Sequence, residues 1–267
     1  MKNRVRLEVR DEIAYVALAR AEKYNGLDLD MLDGLVEAAK RISKDRSIRA
    51  VILSGEGKVF CAGLDFGSVT KQPARMMRAF AKFGLKHTNL FQEAAWAWRK
   101  LTVPVIAVTH GRCYGGGLQI ALAADFRFST PDCVFSIMEV KWGLIPDMTG
   151  TVSLRELLPM DMAKELSMTG REFDGTEAKS LNLVTGLNAE PMAAAQALAE
   201  QIKTRSPDAV AAAKALFEKT WQAGEGEAFA VESKFQFKLM RGKNQREAMK
   251  ANFEKRAPAF KKRQYDF

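Results

Sequence analysis

The first twenty residues alternate between polar and apolar side chains, which is the pattern of a half-buried β-strand. The alternation runs over residues 4–9 and 13–19. Between these two runs lie Arg10, Asp11 and Glu12, a polar triplet that fits a tight turn. The pattern therefore predicts a β-hairpin at the start of the chain.

A helix and a short strand are predicted next. Apolar residues recur at three- and four-residue spacing from Leu29 to Ile42, which predicts a helix with one buried face. The apolar run at residues 50–53 has the length of a buried strand and ends at the turn-forming sequence SGEG.

Strand and helix continue to alternate through the middle of the chain. We expect a long helical stretch at residues 73–100 with a break near Gly84, a strand at 103–108, and another strand at 125–129. This repeated order implies a sheet covered by helices, so the predicted fold class is α/β.

The pattern changes after Gly150, where the remaining segments read as helices. They are predicted at residues 152–158, 162–168, 177–181, 193–205, 209–221 and 225–240. We accordingly divide the chain into a core over residues 1–200 and a helical C-terminal region over residues 201–267. The alanine-rich stretches of these helices are typical of packing surfaces rather than of functional sites.

The composition excludes several classes of protein. The 267 residues are 47% hydrophobic, which is ample for a buried core. Three cysteines without CxxC spacing and two histidines support neither a zinc site nor a disulfide framework, and a reducing cytoplasm fits best. The N-terminal sequence MKNR leads straight into the strand pattern, and no apolar run reaches membrane-spanning length. We expect a soluble, unexported protein.

The chain is basic, with a formal net charge of +9 and a pI near 9.5. The excess is concentrated in residues 250–263 and in a group formed by Arg41, Lys44, Arg46 and Arg49. A solvated helix face is the common explanation of such groups, and a phosphate-rich ligand is the alternative.

Two glycine turns carry the candidate chemistry. The sequence HGRCYGGGLQ at residues 110–119 follows an apolar strand, and the sequence FCAGLD at residues 60–65 follows another. An enolate or tetrahedral oxyanion needs two convergent N–H donors, and Gly63-Leu64 and Gly115-Gly116 are placed to offer one each. Either turn alone would be an ordinary strand-to-helix connection.

Two acidic residues, Glu139 and Asp147, follow these turns in an apolar stretch broken by glycine and proline. They are eight positions apart and are the candidates for general acid and general base. The turns and the carboxylates together indicate proton transfer beside a stabilised oxyanion.

These residues resemble those of the crotonase superfamily, the enoyl-CoA hydratases and isomerases, over nearly the whole chain. The resemblance lies in RAEKYNGL at residues 20–27, FCAGLD at 60–65, the glycine-rich segment 106–126, segment 139–151, GTEA at 175–178 with Leu183-Val184, and the tail from Phe253 to Lys261. It implies a spiral of repeated ββα units with a helical C-terminal trimerisation region.

The resemblance also implies a substrate and an assembly. The substrate would be an acyl-CoA thioester whose carbonyl oxygen is held by the amides of Leu64 and Gly116. The further substrate-binding candidates are Lys23, Ala62, Asp65, Gly115 and Gln119, together with Phe260 and Lys261 supplied by a neighbouring subunit. We expect a homotrimer or a dimer of trimers, with no metal and no separate cofactor, since the CoA thioester is itself the substrate.

One departure from the family pattern bears on the reaction. The family's hydratases use two glutamates, and the position of the first is Gln119, which cannot exchange a proton near neutral pH. The second matches Glu139, and Asp147 stands where 3,5-to-2,4-dienoyl-CoA isomerases carry an aspartate. We therefore expect an isomerase of that type, although those isomerases have an acid at the position of Gln119.

Three alternatives stay open. Glu139 alone would serve a 2-enoyl-CoA hydratase or a 3-enoyl-CoA isomerase. Asp147 could be the nucleophile of a hydrolase or dehalogenase, although the family's dehalogenases use a histidine where this chain has Gln92. A basic RNA-binding or scaffold protein is the non-enzymatic alternative, and we expect nucleic acid not to be the partner. The acyl group is open as well, because the stripe Met76, Met77, Phe80 and Phe83 fits a pocket wall or a core.

Overall fold

A computed structural model describes residues 3–82 and 87–267 of the chain. Met1, Lys2, the predicted break at Gly84 and the predicted pocket residue Phe83 lie outside these ranges. The strands are β1 (Val5–Arg10), β2 (Ile13–Leu18), β3 (Ala50–Gly55), β4 (Val105–Thr109), β5 (Arg112–Tyr114), β6 (Phe126–Ser129), β7 (Val134–Ser136) and β8 (Gly186–Leu187).

Helices lie between these strands and make up most of the described chain after β7. They are α1 (Leu29–Lys44), α2 (Phe66–Val69), α3 (Pro73–Phe80), α4 (Leu90–Arg99), α5 (Gly116–Leu122), α6 (Gly150–Leu157), α7 (Met160–Thr169), α8 (Gly175–Ser180), α9 (Pro191–Lys203), α10 (Pro207–Thr220), α11 (Glu225–Met240) and α12 (Lys243–Phe253). Short 3-10 helices lie at Ala21–Lys23 and Met138–Trp142.

The predicted hairpin is confirmed as β1 and β2, which are antiparallel and in register from Val5 opposite Leu18 to Arg10 opposite Ile13. Only Asp11 and Glu12 remain for the turn, and both have positive φ, of 48° and 65°. Positive φ at both central residues matches the right-handed twist of a hairpin.

A mixed sheet in the order β1-β2-β3-β4-β6-β8 organises the described part of the chain. Its strands after β2 pair in parallel, so each requires a crossover, and helices supply most of these. A smaller parallel sheet, β5-β7, stands beside it. The predicted α/β class is confirmed.

Alternating strand residues serve two cores on opposite faces of the main sheet. On one face Val16, Leu53 and Ala107 join the large core beneath α1 and α4. On the other face Ile52 and Ile106 pack under α9. The large core extends beneath the glycine turns and therefore gives the candidate site a rigid floor.

The basic C-terminal segment differs from the solvated helix face that we expected. Helix α12 ends at Phe253, and the chain continues without regular structure. Arg263 is buried, and the amides of Gln264 and Tyr265 donate to the buried Asp208 carboxylate at 2.6 and 3.1 Å. The tail is therefore anchored to the body of the protein by its main chain, and Arg263 is buried there and not solvated.

The division of the chain at residue 200 stays a prediction, and the boundary falls within α9. Across the described ranges no helix is long and apolar enough to cross a membrane.

Candidate active site

The two glycine turns lie side by side because their leading residues pair as a short parallel bridge. Cys61 is bridged to Cys113. The amide of Cys61 donates to the Arg112 carbonyl and the amide of Tyr114 donates to the Cys61 carbonyl, both at 3.0 Å. The structure therefore brings together Gly63-Leu64 and Gly115-Gly116, as the sequence predicted.

Asn25 holds the first turn from behind. Its side chain is fully buried and donates to the carbonyls of Val59 and Phe60 at 2.9 and 3.1 Å. The main chain adds a second support, since the Leu27 amide donates to the Gly63 carbonyl at 2.8 Å. The segment RAEKYNGL thus acts as a brace for the turn.

Asp65 also belongs to this support. Its carboxylate accepts hydrogen bonds from Arg20 at 2.8 Å and from the Ser68 hydroxyl at 2.6 Å, and it caps α2. Burial acts to raise the pKa of Asp65, but the hydrogen bonds from Ser68 and Arg20 outweigh it and lower that pKa. Direct contact of Asp65 with substrate stays a prediction.

The main-chain N–H groups of Leu64 and Gly116 are among those in the turns that find no acceptor within the described residues. Gly116 is the first residue of α5, where a helix leaves its amides without an internal partner. Gly115 reaches this geometry with a φ of +51°, which favours glycine. These are the donors that the sequence assigned to an oxyanion.

Close packing explains the glycines that follow. A Cβ placed on Gly116 would lie 2.6 Å from Met148 Sδ, and one placed on Gly117 would lie 2.5 Å from Cys61 Cβ. At Gly117 the Cβ would meet the base of the Cys61 side chain, so this position requires glycine if the second turn is to pack beside the first. At Gly116 the flexible Met148 and Leu27 side chains would have to shift.

A cavity of about 260 Å³ opens above the two turns. Six residues predicted for the site lie on its wall: Ala62, Leu64, Gly115, Gly116, Glu139 and Asp147. The rest of the wall is apolar except for Tyr114, and it includes Met76 and Phe80 of the predicted stripe. Met77 points elsewhere and is 74% exposed.

Other wall residues were not predicted from the sequence. Phe66, Phe91 and Trp142 line the same cavity from α2, α4 and the second 3-10 helix. Helical spacing does not separate such residues from core residues. Of these, Trp142 could have been suspected from the sequence, because it is an aromatic residue in a stretch broken by glycine and proline. In the structure its side chain is exposed.

Glu139 lies against the second turn. A Cβ on Gly115 would be 3.3 Å from Glu139 Oε1, and Oε1 accepts a hydrogen bond from Gln119 Nε2 at 2.5 Å. The other oxygen, Oε2, is buried and has no hydrogen-bond partner in the described part of the chain. Burial raises the pKa of Glu139, and the nearby charge of Asp147 raises it further.

Asp147 stands on the same wall, in the segment that precedes α6. Burial raises the pKa of Asp147 as well. Two carboxyls with raised pKa values facing one cavity are suited to general acid and base work near neutral pH.

Gln119 lies behind Glu139 and is not on the cavity wall. It is 2% exposed, and its Oε1 accepts hydrogen bonds from the amides of Met148 and Gly150 at 2.8 and 2.9 Å. Its amide group is therefore engaged with protein at both ends. Contact of Gln119 with substrate stays a prediction.

The remaining predicted binding residues lie away from this cavity. Lys23 is exposed at the end of the first 3-10 helix. Phe260 lies near Arg49, whose guanidinium is 5.9 Å from the ring centre, and Lys261 is tied to Asn244 through its main chain. The predicted contribution of Phe260 and Lys261 to a neighbouring subunit's site stays a prediction.

A larger cavity of about 500 Å³ lies beside α10, and it contains neither glycine turn. Its charged side chains are engaged within the protein: Arg127 donates to main-chain carbonyls, and the others are paired with one another. Lys214 bonds Asp125 at 2.7 Å, and Arg99 bonds Glu156 and Glu218 at 2.6 and 2.5 Å. We therefore place the chemistry in the cavity above the turns.

The part of the chain that the structure describes has no group of three histidine, cysteine or acidic side chains that could hold a metal ion. Its cysteines, Cys61, Cys113 and Cys133, are buried free thiols. Burial raises the pKa of Cys61 to about 12, which leaves its thiol protonated at neutral pH.

The chain is similar to known proteins over nearly its whole length. Residues 8–263 match a family model described as enoyl-CoA hydratase/isomerase. The chain is 31% identical over 259 residues to enoyl-CoA hydratase EchA19 of Mycobacterium tuberculosis, covering 96% of each protein. It is 29% identical over 266 residues to the peroxisomal Delta(3,5)-Delta(2,4)-dienoyl-CoA isomerase of Arabidopsis thaliana, covering 97% of this chain and 96% of that protein.

A solved structure agrees over nearly the full length. The crystal structure of enoyl-CoA hydratase from Bacillus anthracis has a TM-score of 0.88 and 28% identity, covering 97% of this chain and 99% of that one. The names of these proteins include both hydration and isomerisation.

Proposed function

The chain belongs to the enoyl-CoA hydratase/isomerase family, and we propose that it converts a 3,5-dienoyl-CoA into a 2,4-dienoyl-CoA. One observation carries this proposal. Glu139 and Asp147 face the same cavity, while the position of the first hydratase glutamate holds a buried amide, Gln119. A double-bond shift needs two separated proton-transfer groups and no water, which is what this wall supplies.

The first step is the loss of a proton from C2 of the acyl group. Glu139 lies against Gly115 and is therefore beside the thioester carbonyl when that oxygen sits on the amides of Leu64 and Gly116. The C2–H bond breaks, the proton moves to Glu139, and the electron pair spreads over the diene to the carbonyl oxygen. Two N–H donors placed roughly 2.7–3.1 Å from that oxygen would stabilise the negative charge.

The second step is protonation at C6. Asp147 donates its proton there, the electron pair returns from the oxygen, and the double bonds come to lie at C2 and C4. The raised pKa of Asp147 favours the protonated form that this step requires. Exchange with solvent then returns a proton to Asp147 and removes one from Glu139.

The hydrolase alternative receives less support from the geometry. Gln92 forms a capping box with Asn89 at the start of α4, and both its side-chain and main-chain groups are engaged there. An amide in that arrangement offers no base to activate water for an ester formed on Asp147. The RNA-binding alternative stays a prediction.

The proposal is tested with Glu139→Gln and Asp147→Asn, assayed by ultraviolet absorbance on a 3,5-dienoyl-CoA. We expect each variant to lose about 10²–10⁴-fold in kcat, which is typical of a lost proton-transfer group, with acyl-CoA affinity nearly unchanged. Glu8→Gln, an exposed carboxylate on β1, is the control and should behave as wild type.

The pattern of losses distinguishes the alternatives. Loss of activity in Glu139→Gln with full activity in Asp147→Asn would replace the two-acid reaction by one that uses Glu139 alone. Full activity in both variants would reject the proposal.

A further inference from the structure

The amide of Gln119 has a single orientation that fits its surroundings. Two main-chain N–H groups, those of Met148 and Gly150, point at one end of it. Only a carbonyl oxygen can accept both hydrogen bonds, so the NH₂ group must be the end that faces Glu139. If the amide were turned over, its NH₂ group would face the two N–H donors and its oxygen would face the Glu139 carboxylate, so all three hydrogen bonds would be lost.

This orientation makes the two oxygens of Glu139 unequal. Oε1 accepts a hydrogen bond from the Gln119 amide at 2.5 Å. A proton bound to Oε1 would therefore face the N–H of Gln119, and two donors would compete for one place. Oε2 is buried and has no partner among the described residues, and the carboxyl lies on the cavity wall. A proton on Glu139 is therefore accommodated on Oε2 and not on Oε1.

The same amide connects the two acid-bearing segments. Met148 and Gly150 directly follow Asp147, while Glu139 stands on the other side of Gln119. A Cβ on Gly150 would lie 2.7 Å from Gln119 Oε1, so this contact is closely packed. One buried side chain thus ties the segment that carries Asp147 to the Glu139 carboxylate.

We propose that Gln119 is a positioning residue that fixes Glu139 Oε2 as the atom that takes the substrate proton, and that sets the distance between Glu139 and Asp147. This inference rests on the proposed function for the role of Glu139. The positioning role explains why the buried residue at position 119 is a glutamine, since an acid there would compete with Glu139 for the substrate proton.

Few other groups face Glu139. The titratable residues described on the cavity wall are Glu139, Asp147 and Tyr114. The Tyr114 hydroxyl is bonded to Glu172 at 2.9 Å, and its pKa is raised to about 12 by burial and by that carboxylate. Asp147 and the residue at position 119 are therefore the groups that govern the titration of Glu139.

The test compares Gln119→Glu and Gln119→Met by the pH titration of Glu139. A carboxylate at position 119 can still accept from Met148 and Gly150, but its second oxygen then shares a proton with Glu139 Oε1. Methionine fills the same space but has no hydrogen-bond donor for Glu139 Oε1. We expect the titration midpoint of Glu139 to rise in both variants, by roughly one pH unit or more in Gln119→Glu.

The titration is measured by NMR on protein carrying ¹³C at the glutamate carboxyls, with the Glu139 signal assigned by its loss in Glu139→Gln. This readout needs no turnover, so it decides the role of Gln119 even where dienoyl-CoA is not a substrate. Gln201→Glu, on an exposed glutamine of α9, is the matched control and should leave the midpoint unchanged.

The pH profile of kcat gives the second readout. We expect the loss in both variants to be larger at low pH than at high pH, and roughly tenfold or more larger in Gln119→Glu, because the ionised form of Glu139 is what they deplete. A midpoint equal to that of wild type in both variants, or a loss of kcat that is equal at every pH, would overturn the inference and leave Gln119 a packing residue.

Discussion

Gly116 has a hydrogen atom where other residues have a side chain, and the close packing of the second glycine turn uses this small size. A Cβ there would come within 2.6 Å of Met148 Sδ and 3.0 Å of Leu27 Cδ1. Either these side chains or the turn would have to move. We expect the turn to give way in part, because both side chains are packed in the core, and a shift of the turn would displace the Gly116 amide.

The first prediction concerns Gly116→Ala. We expect kcat on the dienoyl substrate to fall by about 10²–10³-fold, the usual cost of a displaced oxyanion donor. Gly226→Ala is the matched control, because a Cβ at that helical glycine meets nothing within 4 Å. Equal activity in the two variants would contradict the role of the Gly116 amide.

The second prediction concerns the stability cost of Asp147. Its folded-state pKa lies above the ordinary 3.8 because burial disfavours the charge. The stability that protonated Asp147 contributes is therefore fully present below its unfolded pKa and is lost as pH rises through the raised folded pKa.

Asp147→Asn removes this dependence. We expect the melting temperature of the variant, relative to wild type, to be higher at about pH 8 than at about pH 4. Thermal unfolding at the two pH values measures it. If the difference in melting temperature between variant and wild type is equal at the two pH values, or larger in acid, then burial does not disfavour the charged form of Asp147.

At the scale of elements, the brace of residues 20–27 shows how a segment outside the cavity shapes it. The side chain of Asn25 also donates to the Glu56 carbonyl at 2.8 Å and accepts from the Arg20 amide at 2.9 Å. The loop that leads from β3 into the first turn depends on these bonds. Loss of the amide would leave buried carbonyls without a donor.

The third prediction is that Asn25→Ala lowers the free energy of unfolding by about 2–3 kcal/mol, since buried polar groups lose their partners. Chemical denaturation measures the change. Asn252→Ala, on the exposed side of α12, is the control and should cost little. Equal losses in the two variants would show that Asn25 is not a brace.

The elements that the sequence predicted well are those long enough to show a period. The hairpin, α1 and α11 are examples, and α11 has the predicted bounds. The strands β5 and β7 have three residues each and were not predicted, because so short a run carries no periodicity. The second 3-10 helix, which carries Glu139, was missed for the same reason.

The site shows a similar limit. The motifs led to the glycine turns and to both carboxylates, because those residues are marked by type and spacing. The hydrogen bonds of Gln119 were not accessible to sequence reasoning, since they join it to residues 20 to 31 positions away along the chain. Which side chains close the acyl cavity depends on packing among separate helices.

At the scale of the whole molecule, the C-terminal helices expose many large apolar side chains. The most exposed of them is Phe253, at 82%. The others are Trp221, which directly follows α10, and Phe217, Phe229, Phe237, Met240 and Met249 on α10 to α12. Apolar surface on this scale is typical of an interface between proteins, and we propose that copies of this chain associate through it.

The fourth prediction is that the protein in solution has three or six times the chain mass of 29.7 kDa. Light scattering coupled to size-exclusion chromatography measures the mass. A monomer at micromolar concentration would contradict both the proposed assembly and the expectation that Phe260 and Lys261 complete a neighbour's site.

Two carboxylates on one cavity wall are proposed to shift the double bonds of a conjugated acyl chain, one by taking a proton and the other by giving one. This reaction is tested by following absorbance as the purified protein acts on a 3,5-dienoyl-CoA, with hydration of a 2-enoyl-CoA run in parallel. We expect rapid formation of the 2,4-dienoyl thioester and negligible hydration. Efficient hydration without any dienoyl conversion would reject the two-carboxylate isomerisation.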